Sequence, residues 1–389
     1  MINEIPTSAY VHIPFCESKC GYCDFVSYAG RKDRMDDYVE AVCEEIRRTC
    51  RTSEKKIPLS TIYFGGGTPS CMKSQSLVRI LDTLSSVCGF TPDAEITIEA
   101  NPGTVTRESL AEMRAGGFNR ISFGVQSFSD TLLRAIGRIH TGDDARTAIQ
   151  AAREAGFTNI SGDLMTGLPG QTMGDVLDSL TKLITHGVEH VSVYALSIEE
   201  GTPFFAKYAK DDDALPSDGD EREMYHRVVH ELEINGYHRY EISNFCKPGR
   251  ESRHNTVYWN ALPYYGFGCG AHAYREGIRR GNTTDLETYI RVMTQEGSNP
   301  EDAVSEEEEI CPEEAAAEAM LLGFRMTVGI DEDVFRRRFG YLPRERFGNE
   351  LQDLLEKNLI VETCGIYRLS ERGFDFANEV FRAFVGLGE

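Results

Sequence analysis

Between residues 9 and 196 of this 389-residue chain, short β-rich runs alternate with helical patterns six times, and nothing else in the sequence constrains the fold as much. The candidate strands are 9–13, 61–64, 95–99, 120–125, 158–164 and 190–196. Helix-like segments fall between them at 36–50, 76–87, 107–115, 142–155 and 173–186. Strands separated by helices of that length pair in parallel, with the helices outside the sheet. Six units are fewer than the eight of a closed barrel. The expected fold class is therefore α/β, a partial (β/α)6 barrel with its site at the C-terminal ends of the strands.

Those ends carry the unusual residues. The first run leads into Cys16, Cys20 and Cys23, spaced C-x3-C-x2-C, with Tyr22 just before the last. The second leads into the glycine-rich turn Gly65, Gly66, Gly67, Thr68 and Pro69, the third into Glu99, and the fourth into Gln126. Asp163 sits on the fifth and Ala195 on the sixth. Soft thiolates in a small loop favour zinc or an iron–sulfur cluster, and complete structural sites of either kind take four ligands. Here the fourth is missing locally. In that respect the triplet resembles the radical S-adenosylmethionine (SAM) superfamily, in which three cysteines bind three irons of a 4Fe-4S cluster and SAM chelates the fourth. A zinc knuckle and three reduced thiols are the alternatives.

SAM needs partners for its amino acid end, ribose and adenine. Glycines at 65–67 let backbone approach closely, because they add no Cβ. Glu99 and Asp163 can accept from the amino group or ribose hydroxyls, while Gln126 and Arg138 can bond the carboxylate.

A formal charge of −21 argues against a polyanionic partner, so nucleic acid is excluded as the main ligand. No apolar stretch approaches the ~20 residues of a membrane span, and residues 1–7 lack a secretory signal, so a cytoplasmic protein is expected. Eight further cysteines (Cys43, Cys50, Cys71, Cys88, Cys246, Cys269, Cys311 and Cys364) have no framework spacing and read mostly as buried thiols.

Three divisions are expected: a barrel at 1–236, an aromatic and glycine-rich connection at 237–304, and a C-terminal module at 305–389. The acidic stretch 210–223 reads as a loop or linker, and the run 306–309 as a solvated lead-in to a helix. The last module, with helices at 313–325, 331–339 and 351–357 and short strands at 359–362 and 366–369, resembles a winged helix. Residues 306–389 hold 10 Lys and Arg against 19 Asp and Glu, a net of −9. Packing is thus expected of this module rather than duplex binding.

Taken together, residues 10–16, 65–69, 124–126 and 163–169 and the C-terminal module resemble the oxygen-independent coproporphyrinogen III oxidase-like radical SAM proteins over nearly the whole chain. The resemblance implies that Cys16, Cys20 and Cys23 bind the cluster, that Tyr22 packs beside it, and that Tyr10, Gly66, Gly67, Thr68, Glu99, Gln126, Arg138, Asp163 and Ala195 contact SAM. The oxidases of this family carry a further Cys two residues past the third cluster Cys, where this chain has Phe25. They also have a longer segment before the motif than the nine residues preceding Tyr10. Coproporphyrinogen oxidase activity is accordingly not expected, and a radical SAM oxidoreductase acting on a tetrapyrrole is the second reading.

His254, Asn255, Tyr258 and Trp259 form His-Asn-x-x-Tyr-Trp, which resembles the signature of the HemW haem chaperones. An imidazole can be an axial iron ligand, and Tyr258 and Trp259 offer flat apolar faces to a porphyrin. The competing reading is that His254 and Asn255 are satisfied structural groups, leaving His272, Cys269 and Cys246 as rival ligands. What the resemblance implies is a protein that binds haem and hands it to an acceptor protein, membrane haem proteins met peripherally among the acceptors.

Overall fold

The computed structural model describes residues 6–51, 58–208 and 214–387. Six parallel strands follow one another in sequence and in space: β1 (Ser8–Ile13), β2 (Leu59–Gly66), β3 (Phe90–Ala100), β4 (Arg120–Gln126), β5 (Ile160–Thr166) and β6 (His190–Ala195). The intervening helices are α1 (Met35–Arg51), α2 (Ser74–Cys88), α3 (Arg107–Ala115), α4 (Gly142–Glu154) and α5 (Met173–Thr185). Threonines at 106, 141 and 172 start α3, α4 and α5, each accepting from the backbone N–H three residues on. The strands read as near-continuous apolar runs because both faces are covered, and Val11, Ile62, Ile98, Ile121 and Val191 are fully buried. The partial barrel is as expected.

The sheet continues past residue 236, the expected end of the barrel division. A hairpin of β7 (His238–Glu241) and β8 (Asn244–Cys246) adds antiparallel to β6, while β9 (Tyr265–Phe267) adds parallel to β1. The order is β9-β1-β2-β3-β4-β5-β6-β8-β7. Helix α6 (Asp218–Ile234) precedes the hairpin and takes in part of the stretch expected as a linker, of which 209–213 lie outside the described residues. Helix α7 (Arg253–Trp259) carries the His-Asn-x-x-Tyr-Trp motif.

A correction concerns the acidic run at 306–309. It is strand rather than helix lead-in: Val304–Glu309 pairs with Ile278–Asn282, and Glu308 and Glu307 face Arg279 and Arg280 at 2.9 and 2.8 Å. Beyond it the C-terminal module has its own core, with Met320, Phe324, Phe347 and Leu351 buried beneath three short antiparallel strands. No helix among the described residues is long and apolar enough to cross a membrane.

Candidate cofactor-binding site

A cavity of ≈ 500 Å³ opens at the C-terminal ends of the parallel strands. Cys16, Cys20 and Cys23 stand together at its rim with Tyr22, and Gly66, Gly67, Thr68, Glu99, Gln126, Arg138, Asp163 and Ala195 line it, together with Asn255. Apart from Asn255, which comes from α7, these residues follow the ends of the six parallel strands, so the sheet gathers them at one mouth. The thiols are already held: Thr68 Oγ1 lies 3.5 Å from Cys16 Sγ, and Arg138 Nη1 lies 3.7 Å from Cys20 Sγ. Burial raises the Cys23 thiol above its usual pKa.

The floor of the cavity is charged. Glu99 accepts from the Tyr63 hydroxyl at 2.7 Å and the Gly66 N–H at 3.3 Å, and burial pushes its carboxyl up to about 7. Asp163 accepts from Ser122 at 3.0 Å and is raised by the same cause. Arg120, buried at 2 % exposure, also lines the cavity, and its charge lowers the pKa of both carboxyls against the effect of burial. Arg138 Nε is buried with no hydrogen-bond partner among the described residues. Gln126 has φ 64°, a left-handed conformation that a non-glycine residue adopts at some cost, at an irregularity where β4 leaves its register with β5.

Tyr10, expected among the SAM contacts, packs beside Tyr63. It is absent from the cavity wall; its hydroxyl donates to His12 Nδ1 at 2.9 Å, and its ring stacks behind Tyr63, its register partner on β2. Tyr63 takes the position at the wall, a residue that sequence reasoning passed over along with Arg120 and Ser122. Side-chain alternation along β2 was the available signal, since it puts Tyr63 on the face opposite Ile62 and Phe64.

The motif helix splits into two roles. Asn255 lines the cavity, whereas His254 is fully buried beneath it. Thr61 donates to Ser8, which leaves its oxygen to accept from His254 Nδ1 at 2.9 Å; Nε2 then accepts from the Tyr258 hydroxyl at 2.8 Å. Burial lowers the imidazole to about 3, so it stays neutral. Both nitrogens of the imidazole expected as axial ligand are thus hydrogen-bonded within the protein. Trp259 is similarly covered by Arg325, whose guanidinium lies 4.2 Å from the ring centroid. Among the rivals, Cys269 and Cys246 are buried and His272 is exposed.

The chain matches the Radical SAM superfamily over residues 10–183 and the HemN C-terminal domain over residues 310–376. It is 40% identical to "Heme chaperone HemW" of Bacillus subtilis (strain 168) over 97% of this chain and 99% of that one. The chain belongs to the HemW family. The family member of Escherichia coli (strain K12) is 32% identical over 99% of this chain and 100% of its own length. In fold, the chain resembles coproporphyrinogen III oxidase (HemN) from Escherichia coli, with a TM-score of 0.84 at 23% identity over 98% of this chain and 90% of that one.

A radical SAM protein of the HemW family takes a 4Fe-4S cluster and SAM, and the cavity fits them. The three cysteines line one cavity, the unpartnered Arg138 Nε waits for an acceptor, and the backbone gap at Gly67 is too tight for a side chain. A Cβ there would lie 2.7 Å from Phe15 O.

Proposed function

We propose that this chain is a haem chaperone that binds haem and transfers it to an acceptor protein, carrying the cluster on Cys16, Cys20 and Cys23 with exchangeable SAM. The observation that carries this reading is the full-length match to proteins named heme chaperone. Phe25 supports it: the ring is 64% exposed at the cavity rim, where the family's oxidases have their additional Cys. SAM is held by Gly66, Gly67, Thr68, Glu99, Gln126, Arg138, Asp163 and Ala195, and Asn255 closes the wall beside them. When bound, the cluster and SAM supply one-electron and radical chemistry. The residues themselves orient the amino acid end: Glu99 takes its amino group and Arg138 its carboxylate.

With His254 sealed, His272 becomes the axial ligand to test first, because it is exposed and the rival thiols are not. The C-terminal module packs against the barrel rather than a duplex. Haem acceptors include membrane haem proteins reached from the cytoplasm. The test is anaerobic reconstitution followed by haem titration, transfer to an acceptor apoprotein and a coproporphyrinogen III assay. A Soret band that moves to the acceptor supports the reading. Failure to bind haem, or robust conversion of coproporphyrinogen III, overturns it in favour of a tetrapyrrole oxidoreductase.

A further inference from the structure

Far along the sheet from the cysteine triplet, at its β7 edge, a second set of ligand-type side chains converges. His238 on β7 and Cys246 on β8 are cross-strand partners, with His238 Nε2 3.7 Å from Cys246 Sγ. Just after β8 the chain reverses at Lys247, Pro248, Gly249 and Arg250, where Arg250 N–H donates to Lys247 O at 3.0 Å and Gly249 has φ 74°. That turn returns Glu251 to the hairpin, where its Oε1 is 2.8 Å from His238 Nε2. The three ligand atoms all lie within 4.8 Å of one another.

We propose that His238, Cys246 and Glu251 form a binding site for a zinc-class divalent cation, separate from the cluster and with one coordination position open to solvent. Zinc–sulfur and zinc–nitrogen bonds of about 2.3 and 2.0–2.1 Å put tetrahedral S and N ligands roughly 3.5 Å apart. The observed 3.7 Å needs almost no movement. Glu251 must back away by about half an ångström, because its present distance is that of a hydrogen bond to the imidazole. A thiolate and a carboxylate neutralise the dication. On binding, the Cys246 thiol gives its proton to solvent as the sulfur–metal bond forms, and His238 binds through Nε2 as the neutral imidazole, its single ring proton passing from Nε2 to Nδ1 by way of solvent. Cys246 closes the inner side of the site, being fully buried, while the half-exposed His238 and Glu251 form its mouth.

The site also has something to act on. Glu251 directly precedes Ser252, the cap of α7, whose Oγ accepts from the N–H of Asn255 in the cavity wall. On β7, two residues from His238, Tyr240 accepts from the N–H of Ser252 through its hydroxyl at 3.2 Å. A cation bound here fixes the start of the motif helix.

The test is zinc retention by full-length protein whose cluster has been reconstituted first, so that Cys16, Cys20 and Cys23 are occupied. After dialysis at micromolar free zinc, about one zinc per chain should remain, with one sulfur at about 2.3 Å in zinc-edge X-ray absorption. Cys246→Ser should weaken zinc binding by more than about a hundredfold, beyond the 10–100-fold typical of outer-shell changes. Because Cys246 is buried, His238→Gln and Glu251→Gln at the mouth serve as the second pair; both should lower zinc retention at unchanged iron content. Absence of retained zinc in the wild type, retention in both mouth variants, or a zinc shell without sulfur overturns the proposal.

Discussion

The Arg325 guanidinium of the C-terminal module lies 4.2 Å from the centroid of the Trp259 ring on the motif helix, and the same side chain reaches Glu241 Oε2 at 3.6 Å. Glu241 is fully buried, and that oxygen has no hydrogen-bond partner among the described residues. Arg325→Ala therefore removes a cation–π contact and strands a buried carboxylate, and the chain should lose about 2–4 kcal/mol. Trp259 is the single tryptophan. Denaturation will measure the loss, and the Trp259 emission should shift to the red. Arg325→Lys should fall between, keeping charge without the stacked plane.

His254→Ala should destabilise the fold by about 3 kcal/mol, because Thr61 and Tyr258 lose their partner in a buried site. The Soret spectrum of the haem-loaded protein should stay unchanged in this variant and shift in His272→Ala. The opposite pattern in the two spectra would return the axial role to His254.

Acid should destabilise the protein through its buried imidazoles, against a smaller opposing contribution from Glu99, which burial raises to about 7 and which binds its proton more tightly in the fold. Burial lowers the imidazoles of His12, His190 and His254, the last to about 3. A base with a lowered pKa in the fold takes up its proton in the unfolded chain first, so the stability it contributes is present above about pH 6.5 and is lost as pH falls below that. Urea midpoints measured from pH 7.5 to 5 should decline, and His254→Gln should flatten the slope.

SAM affinity should fall on acidification through neutrality, since Glu99 is pushed up to about 7 and must be ionised to pair with an amino cation. Below the pKa the loss approaches about tenfold per pH unit for one coupled proton. Glu99→Gln should bind SAM more weakly and without this dependence. An unchanged pH profile in the variant excludes Glu99 as the titrating group.

Gly67→Ala should cost about 1–3 kcal/mol and weaken SAM binding, because the added Cβ meets the carbonyl oxygens of Phe15 and Ile13, at 2.7 and 3.0 Å, which are backbone and have no room to yield. Iron content should remain about four per chain, as the three thiols are untouched. Isothermal titration with SAM separates the two effects.

The parallel strands and their helices were legible because each is long enough to show its period, and the cavity followed because strand ends in a parallel sheet share one side. Less was legible where partners are brought together over long separations. Strands β7, β8 and β9 have three or four residues each, too few to show alternation, and β9 pairs with a strand some 250 positions away. Tyr10 and Tyr63 are register neighbours on adjacent strands, and only the observed pairing decides which meets the cavity. In the motif, residue type revealed that His254 matters but not that Thr61 and Tyr258 would occupy both nitrogens. The run at 306–309 was misjudged because charge implies exposure, and an exposed strand across from Arg279 and Arg280 is exposed too.

The pairing of Ala9 with Tyr265 has a consequence for how the chain is made. During synthesis β1 can join β2 early, yet its other edge stays open until residue 265 has left the ribosome. At 5–20 residues per second that interval is on the order of 10–50 s. Throughout it, the strand leading to the cysteine triplet offers free backbone groups to any passing extended segment. The nascent protein is thus most vulnerable to misassembly beside its own metal-binding loop, and closing that edge is among the last acts of folding the barrel.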